Sequence, residues 1–197
     1  FKADISQNLW EFYGQDAWRV LPNLTISYGL RYSYFQTPYA AGNNLLSFNQ
    51  NQYVAANAPQ ITASGRIVPG TGNGLNSLIT GGVNSPNGKF ITKQDKTNFA
   101  PRLGIAWDPF KTGRTSIRAG FGLFYDSVAA GLIEDNIFNN ASDASLGSFI
   151  SNPNIGGSST LPPSIYGTDP NWKTPYSESW NFDVQQEFGK GWISDVG

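Results

Sequence analysis

The sequence predicts an all-β fold: an antiparallel, up-and-down sheet of membrane-spanning strands that forms part of a β-barrel. At least five segments alternate between apolar and polar residues, and a period of two places those sets on opposite faces of a strand. The clearest segment, residues 24–35, is about as long as the ~9–11 residues that a tilted strand needs to cross a bilayer. Short turns also alternate with long polar loops, which is typical of membrane-spanning barrels.

The composition excludes several function classes. The net charge is −1, which provides no electrostatic footprint for nucleic acid. The chain has no Cys and no His, which removes thiolate nucleophiles, disulfides, the usual general base and the commonest metal ligand. We therefore expect no enzyme activity, no cofactor and no metal site. The sequence contains no run of ~18 apolar residues, so we expect no transmembrane helix.

The first hairpin is predicted over residues 6–36. Its first strand, Ser6 to Arg19, has Trp10, Phe12 and Trp18 on one face, which Asp16 interrupts at a bulge or at an interfacial position. A tight turn at Leu21-Pro22-Asn23 follows. The second strand is residues 24–35. Its apolar face carries Leu24, Ile26, Tyr28, Leu30, Tyr32 and Tyr34, and its other face carries Thr25, Ser27, Gly29, Arg31, Ser33 and Phe35.

Two more hairpins are predicted, over residues 98–126 and 177–197. The first joins a strand at Asn98–Asp108 to one at Arg114–Asp126 through a short turn. The second joins Ser177–Phe188 to a further strand that begins at Trp192. Pro101 has no amide hydrogen, so we expect it near a strand start or at an irregular pairing.

Long polar loops are predicted over residues 37–97 and 127–173, with a possible short helix near Val128 to Ile137. If the short turns are periplasmic, the loops are extracellular. Aromatic residues then mark both membrane interfaces, as the aromatic girdles of barrels do. The predicted periplasmic set is Trp18, Trp107, Phe188 and Trp192, and the predicted outer set is Tyr34, Phe35 and Tyr125.

A series of motifs runs through the chain in a fixed order. They are Phe12-Tyr13-Gly14-Gln15-Asp16-Ala17-Trp18-Arg19-Val20 with Asn23-Leu24-Thr25, Gly29-Leu30-Arg31-Tyr32, Ser47-Phe48 through Tyr53 and Ala58-Pro59, Asn98-Phe99-Ala100-Pro101-Arg102-Leu103-Gly104-Ile105-Ala106-Trp107-Asp108-Pro109, Arg118-Ala119-Gly120-Phe121-Gly122 with Phe124-Tyr125-Asp126, and Pro175-Tyr176 through Trp180-Asn181 and Gln185. In order and spacing, these motifs resemble the barrel of Oar-like TonB-dependent receptors.

The resemblance implies a 22-stranded barrel in a Gram-negative outer membrane, with a plug domain in the lumen and energy supplied through TonB. Residues 1–197 contain no recognisable plug domain or TonB box. About six strands are fewer than the eight of a small barrel, and open sheet edges are not tolerated in lipid. We therefore expect residues 1–197 to be part of one larger barrel domain, with lipid, the remaining strands and the plug as its partners.

Three arginines on the polar face are the candidate lumen residues: Arg31, Arg102 and Arg118. They are expected either to contact a plug carboxylate or an anionic substrate, or to form ordinary ion pairs with Glu11, Asp183 or Glu187.

The aromatic residues of the loops are the candidate ligand contacts. They are Phe48, Tyr53, Phe149, Tyr166 and Trp172, and they either stack on a ligand or pack the loops against each other. Glu134, Asp135 and Asp143 offer oxygen ligands for calcium, but their spacing matches no EF-hand pattern and favours a solvated loop.

The leading functional hypothesis is a segment of an outer-membrane receptor that takes up a large solute, with loops that capture the ligand. One alternative is a barrel with a structural, adhesion or secretion-linked surface role. Another is a soluble extracellular β-sandwich that binds carbohydrate. An extracellular ligand or surface partner is possible in each case, whereas nucleic acid is not expected.

Overall fold

The structure is a computed structural model that describes residues 4–43, 45–127, 167–189 and 191–197. The chain divides into two compact units. The strand unit comprises Leu9–Phe35, Asp95–Ser127 and Thr174–Gly197, and the loop unit comprises Phe1–Asn8, Gln36–Gln94 and Val128–Lys173. The helix considered near Val128 to Ile137 lies outside the described residues. No helix within the described ranges is long and apolar enough to span a membrane.

The described residues form ten strands and two 3-10 helices. In chain order the strands are β1 (Ile5–Ser6), β2 (Leu9–Leu21), β3 (Leu24–Phe35), β4 (Tyr39–Ala40), β5 (Leu46–Phe48), β6 (Leu78–Thr80), β7 (Phe99–Trp107), β8 (Thr115–Tyr125), β9 (Tyr176–Glu187) and β10 (Ile193–Val196). The 3-10 helices are Gln50–Gln52 and Ala55–Asn57.

Six strands form one antiparallel sheet in the order β10-β9-β8-β7-β3-β2. Strands that follow one another in the strand unit are neighbours in the sheet, so the connection is up-and-down and the predicted fold class is confirmed. The start of the first strand is corrected from Ser6 to Leu9, because Ile5–Ser6 pairs with Tyr39–Ala40 instead.

The first hairpin closes as a two-residue turn at Pro22 and Asn23, between the paired residues Leu21 and Leu24. The register shifts once, between Arg19 and Leu21. The turn is also tied to the end of β7. The side-chain amide of Asn23 donates to the Asp108 carbonyl at 2.6 Å, and the Asp108 amide donates to the Asn23 carbonyl at 2.9 Å.

Pro101 lies where the pairing of β7 with β8 begins. It is paired with Leu30 of β3, but the ladder to β8 starts only at the next residue, Arg102, opposite Gly122. A proline cannot donate to a ladder, so this position agrees with the sequence-based expectation.

The loop unit has a small core of its own. Ala40, Leu45, Ile79 and Ile91 form one buried cluster. Leu46 and Leu78, from the paired strands β5 and β6, form a second cluster with Phe48 and Leu75 packed against it. The region predicted as a plain loop over residues 37–97 therefore contains folded structure.

The register separates the six-stranded sheet into an apolar face and a polar face. Residues paired across an antiparallel ladder point to the same face. The apolar face carries Phe12, Trp18, Leu24, Ile26, Leu30, Leu103, Ile105, Ile117, Phe121, Leu123, Phe182 and Val184. The polar face carries Glu11, Gln15, Ala17, Ser27, Gly29, Arg31, Ser33, Arg102, Gly104, Arg118, Gly120, Gly122, Asn181 and Asp183.

The apolar face is exposed. Leu30 is 49% exposed, Ile105 46% and Phe182 55%, so these side chains do not form a closed water-soluble core. A contiguous exposed apolar surface of this kind marks contact with a membrane or a partner. Because this mainly apolar face alternates with a polar one, hydrocarbon is the environment that fits it.

Aromatic side chains line the apolar face where the strands approach the two long loops. Phe12 pairs with Tyr32, and Tyr32 with Phe99, whose ring centroid is 4.9 Å away. Tyr125 pairs with Tyr176 at 5.9 Å between ring centroids. This arrangement is typical of an aromatic girdle.

The prediction that Phe35 belongs to the outer girdle is wrong. Phe35 is paired with Leu9 and lies on the face opposite Tyr34, since neighbouring residues of a strand point to opposite faces. Its side chain is buried, unlike those of the exposed aromatics on the apolar face.

Asp16 is a charged residue on the apolar face, as is Glu178, which is paired with Leu123. No bulge occurs there, because the register continues without a break through Asp16 and its partner Tyr28. The Tyr28 hydroxyl donates to one carboxylate oxygen at 3.2 Å, and the Ala17 amide donates to the other at 2.8 Å. The carboxylate is therefore accommodated by hydrogen bonds rather than by a bulge.

We expect Phe182→Arg to destabilise the protein in lipid vesicles by about 2–4 kcal/mol, because a cation near the bilayer midplane loses its hydration. Ser179→Arg is the matched control on the polar face of the same strand, and we expect little change from it. The measurement is the free energy of unfolding in urea, followed by tryptophan fluorescence. Equal destabilisation by both variants would contradict the assignment of the two faces.

Candidate functional site

The polar face of the six-stranded sheet is the candidate functional site. It brings together Arg31 of β3, Arg102 of β7 and Arg118 of β8, as the alternation predicts. The three side chains have different surroundings, and those surroundings determine what each guanidinium is able to bind.

Arg31 forms an ion pair with Glu11, which is the second of the two alternatives expected for the arginines. Its Nη2 lies 3.2 Å from Glu11 Oε2, and the Ser33 hydroxyl donates to Glu11 Oε1 at 3.0 Å. Both side chains of the pair are more than a third exposed, so the pair contributes little stability, about 0–1 kcal/mol. Its main consequence is that the charge of Arg31 is already compensated.

Arg102 has a different partner. Its guanidinium carbon lies 4.8 Å from the ring centroid of Phe124, which is a cation–π distance. No carboxylate among the described residues pairs with Arg102.

Gly122 provides the space for the Phe124 ring. A Cβ at Gly122 would lie 2.9 Å from two ring atoms of Phe124, closer than real contacts allow. The ring therefore lies over Gly122 on the polar face, next to the Arg102 side chain. Sequence reasoning missed this platform, although an aromatic two residues after a strand glycine on the same face was a usable signal.

Arg118 is held by a hydroxyl rather than by a carboxylate. Its Nε donates to Ser116 Oγ at 3.2 Å. Asp183 is opposite Arg118 in the register, yet its Oδ2 accepts from the Asn181 amide at 2.9 Å. Within the described part of the chain, the expected Arg118 ion pair does not form.

Four glycines share the polar face: Gly29, Gly104, Gly120 and Gly122. Gln15 lies against Gly29, where an added Cβ would approach the Gln15 Cβ to 3.0 Å. An added Cβ on Gly120 would collide with the Asn181 side-chain oxygen. These positions carry no side chain that projects from the sheet, and at Gly29 and Gly120 a larger residue would crowd the neighbouring strand.

A depression of about 730 Å³ lies at the centre of this region. Its polar-face lining comes from β2, β3 and β7, and Gly29 lies at its middle in the register, between Gln15 and Arg102. The polar-face residues that line it are Tyr13, Gln15, Ala17, Ser27, Gly29, Arg31, Arg102 and Gly104. The remaining lining residues, Gly14, Asp16, Tyr28, Leu30 and Leu103, belong to the apolar face. On the polar face, Arg102 is the lining cation that has no described carboxylate partner.

Among the predicted loop aromatics, the structure describes three. Phe48 is half-buried and packs on the Leu46–Leu78 cluster, with its ring centroid 6.4 Å from that of Tyr53. Tyr53 is 49% exposed, so more of its ring is open to a ligand. Trp172 is half-buried, and its amide donates to the Asp169 carbonyl at 3.1 Å. Phe149 and Tyr166 lie outside the described residues.

The carboxylates considered for calcium, Glu134, Asp135 and Asp143, also lie outside the described residues. In the ranges that the structure does describe, no group of three or more His, Cys, Asp or Glu side chains is arranged to hold a metal ion.

Two aspartates fix the backbone at opposite ends of β7. At the long-loop end, buried Asp95 accepts from the Thr97 amide at 3.1 Å, the Thr97 hydroxyl at 2.6 Å and the Thr174 amide at 3.1 Å. At the short-turn end, Asp108 accepts from the Phe110 amide at 3.2 Å and the Gly113 amide at 2.7 Å. Asp95 thereby links the start of β7 to the start of β9.

These features define a membrane-embedded antiparallel β-sheet with one face toward hydrocarbon and one toward a polar interior. Comparison with protein-family profiles matches residues 1–197 to the outer membrane beta barrel domain, so the chain belongs to that family and is located in the outer membrane. Comparisons with curated proteins and with solved structures returned no match.

We expect Asp95→Ala to accelerate hydrogen exchange at the Thr97 and Thr174 amides by about 10- to 100-fold, since hydrogen bonds to a charged group contribute about 1.5–3 kcal/mol each. The measurement is amide hydrogen exchange followed by mass spectrometry.

Asp108→Ala is the control for that prediction. Its effect should be limited to the Phe110 and Gly113 amides at the opposite end of β7. If Asp95→Ala left Thr174 unchanged, the link between the two strand starts would be absent.

Proposed function

We propose that this chain is a sector of a TonB-dependent outer-membrane receptor that imports a large solute. The observation that carries the proposal is the set of glycines on the polar face, Gly29, Gly104, Gly120 and Gly122, which place no side chain in the space next to the sheet. Such a wall suits a wide lumen through which a bulky solute passes. The motif order from Phe12 to Gln185 adds the resemblance to Oar-like receptors.

Sheet closure supports a larger barrel. The order of the six strands leaves β2 and β10 as edges, and unpaired edges are costly in lipid. We propose that further strands pair with both edges, to the 22 strands that the resemblance implies. A lumen of that size requires a plug, which the same resemblance supplies.

The loop unit is proposed to be extracellular and to capture the ligand. The short turns at Pro22–Asn23 and between β7 and β8 lie at one end of the strands, and the long loops start at the other. In outer-membrane barrels the short turns are periplasmic. Exposed Tyr53, beside Phe48, is the described aromatic best placed to stack on a ligand.

A barrel with a surface role in adhesion or secretion is the second candidate. The folded core of the loop unit favours it, because a preformed surface domain suits binding to a partner as well as capture of a solute. A soluble β-sandwich is set aside by the family assignment.

The test compares spent culture medium from wild-type cells, cells lacking the gene and cells lacking TonB. We expect at least one large solute to be depleted by the wild type and to remain in the medium of both mutants. The measurement is mass spectrometry of the medium, with a mutant in an unrelated outer-membrane porin as the control. A solute profile unchanged by loss of the gene, together with loss of cell adhesion, would favour the surface role instead.

A further inference from the structure

Arg102 carries a positive charge on the polar face that no described carboxylate compensates. Arg31, its neighbour in the same depression, is already paired with Glu11 at 3.2 Å. Arg102 contacts the uncharged ring of Phe124 instead. Because Asp16 belongs to the apolar face, the polar face of the depression has one excess positive charge, which matches a singly charged anion.

The Arg102 side chain is held in position before any anion binds. The Phe124 ring lies over Gly122, where any larger residue would collide with it. A guanidinium above an aromatic ring keeps the N–H groups of its edge free, and that planar fork matches a carboxylate. Holding the side chain in advance lowers the entropic cost of binding.

The surroundings of Arg102 leave room for a ligand. Gly29 is paired with Arg102 in the register and has no side chain to fill the space in front of it. Gln15, on the far side of Gly29, provides an amide as a further donor, and Ser27 lies diagonal to Arg102. All of them line the same depression.

We propose that Arg102, with Gln15, forms a binding site for a single carboxylate on the inner wall of the barrel. The inference rests on the proposed function only in that the polar face is turned toward the lumen. The carboxylate belongs either to a solute in the lumen or to a protein segment that occupies it, and the test separates these sources.

The test uses the absence of cysteine from residues 1–197. Ser27→Cys places one thiol about 7–8 Å from Arg102, the usual spacing of diagonal neighbours. Its reaction rates with an anionic and a cationic methanethiosulfonate of similar size are measured on the full-length protein in vesicles at low ionic strength. Adding Arg102→Gln should lower the ratio of anionic to cationic rates about fivefold, as Coulomb's law gives for unit charges at that distance.

Two further variants control for charge and for folding. Adding Arg118→Gln instead should lower the ratio clearly less, because Arg118 lies two strands and two residues away from Ser27. Arg102→Lys keeps the charge but lacks the planar fork, so it should preserve the ratio while losing protection by acetate. The heat-dependent shift of each variant in gel electrophoresis shows that the barrel is folded.

Acetate is the probe that identifies the source of the carboxylate. If the site is open to solutes, acetate in place of chloride slows labelling by the anionic reagent at least twofold, and Arg102→Gln abolishes that protection. If a protein carboxylate already occupies the site, acetate has no effect and Arg102→Gln increases labelling by both reagents.

The proposal is overturned if Arg102→Gln leaves the rate ratio, the absolute rates and the acetate effect unchanged. This assay requires no transport. Uptake that proves independent of TonB, with the anion preference intact, would therefore remove the proposed function and leave the carboxylate site standing.

Discussion

Hydrogen bonding between adjacent strands is the interaction on which the rest of this structure depends. Hydrocarbon offers backbone amides and carbonyls no other partner, so strands that cross it must be paired along their length. The ladders between β2 and β3, β3 and β7, and β8 and β9 are long, and their register is continuous apart from one shift near Arg19. Continuous pairing fixes the register, and the register assigns every side chain to one face.

The assignment of each side chain to one face explains how the sheet accommodates single residues. Asp16 cannot move to the polar face without a change of register, which would also invert its neighbours. The sheet instead places Tyr28 opposite it, with a hydroxyl that donates to the carboxylate. On the other face the fixed register places Gly122 between Arg102 and Ser179, which leaves room for the Phe124 ring.

The strands could be predicted from sequence because alternation is a local property of the chain. The boundaries of β7, β8 and β9 each lie within about a residue of the expected ones. The pairing of β1 with β4 and of β5 with β6 could not be predicted, since strands of two or three residues contain too little alternation to be recognised.

Within the candidate site, the sequence identified the three arginines but not the differences between them. Their common face follows from parity, whereas their partners depend on side-chain geometry across strands that are far apart in sequence. Glu11 forms an ion pair with Arg31 across the first hairpin. Asp183 accepts a hydrogen bond from Asn181 instead of pairing with Arg118. Parity says where a side chain points and not which neighbour it contacts.

Charge compensation then separates the arginines by function. An exposed ion pair adds little stability, so Glu11 affects Arg31 mainly by removing its attraction for other anions. A neutral aromatic partner orients a guanidinium and leaves its charge unchanged. Of the two arginines that line the depression, Arg102 is therefore the one with an uncompensated charge, and it lies next to Gly29, which has no side chain to keep an anion away. The glycines of the polar face leave space beside the sheet, and the Phe124 ring orients the Arg102 guanidinium. Together they make Arg102 accessible to an anion.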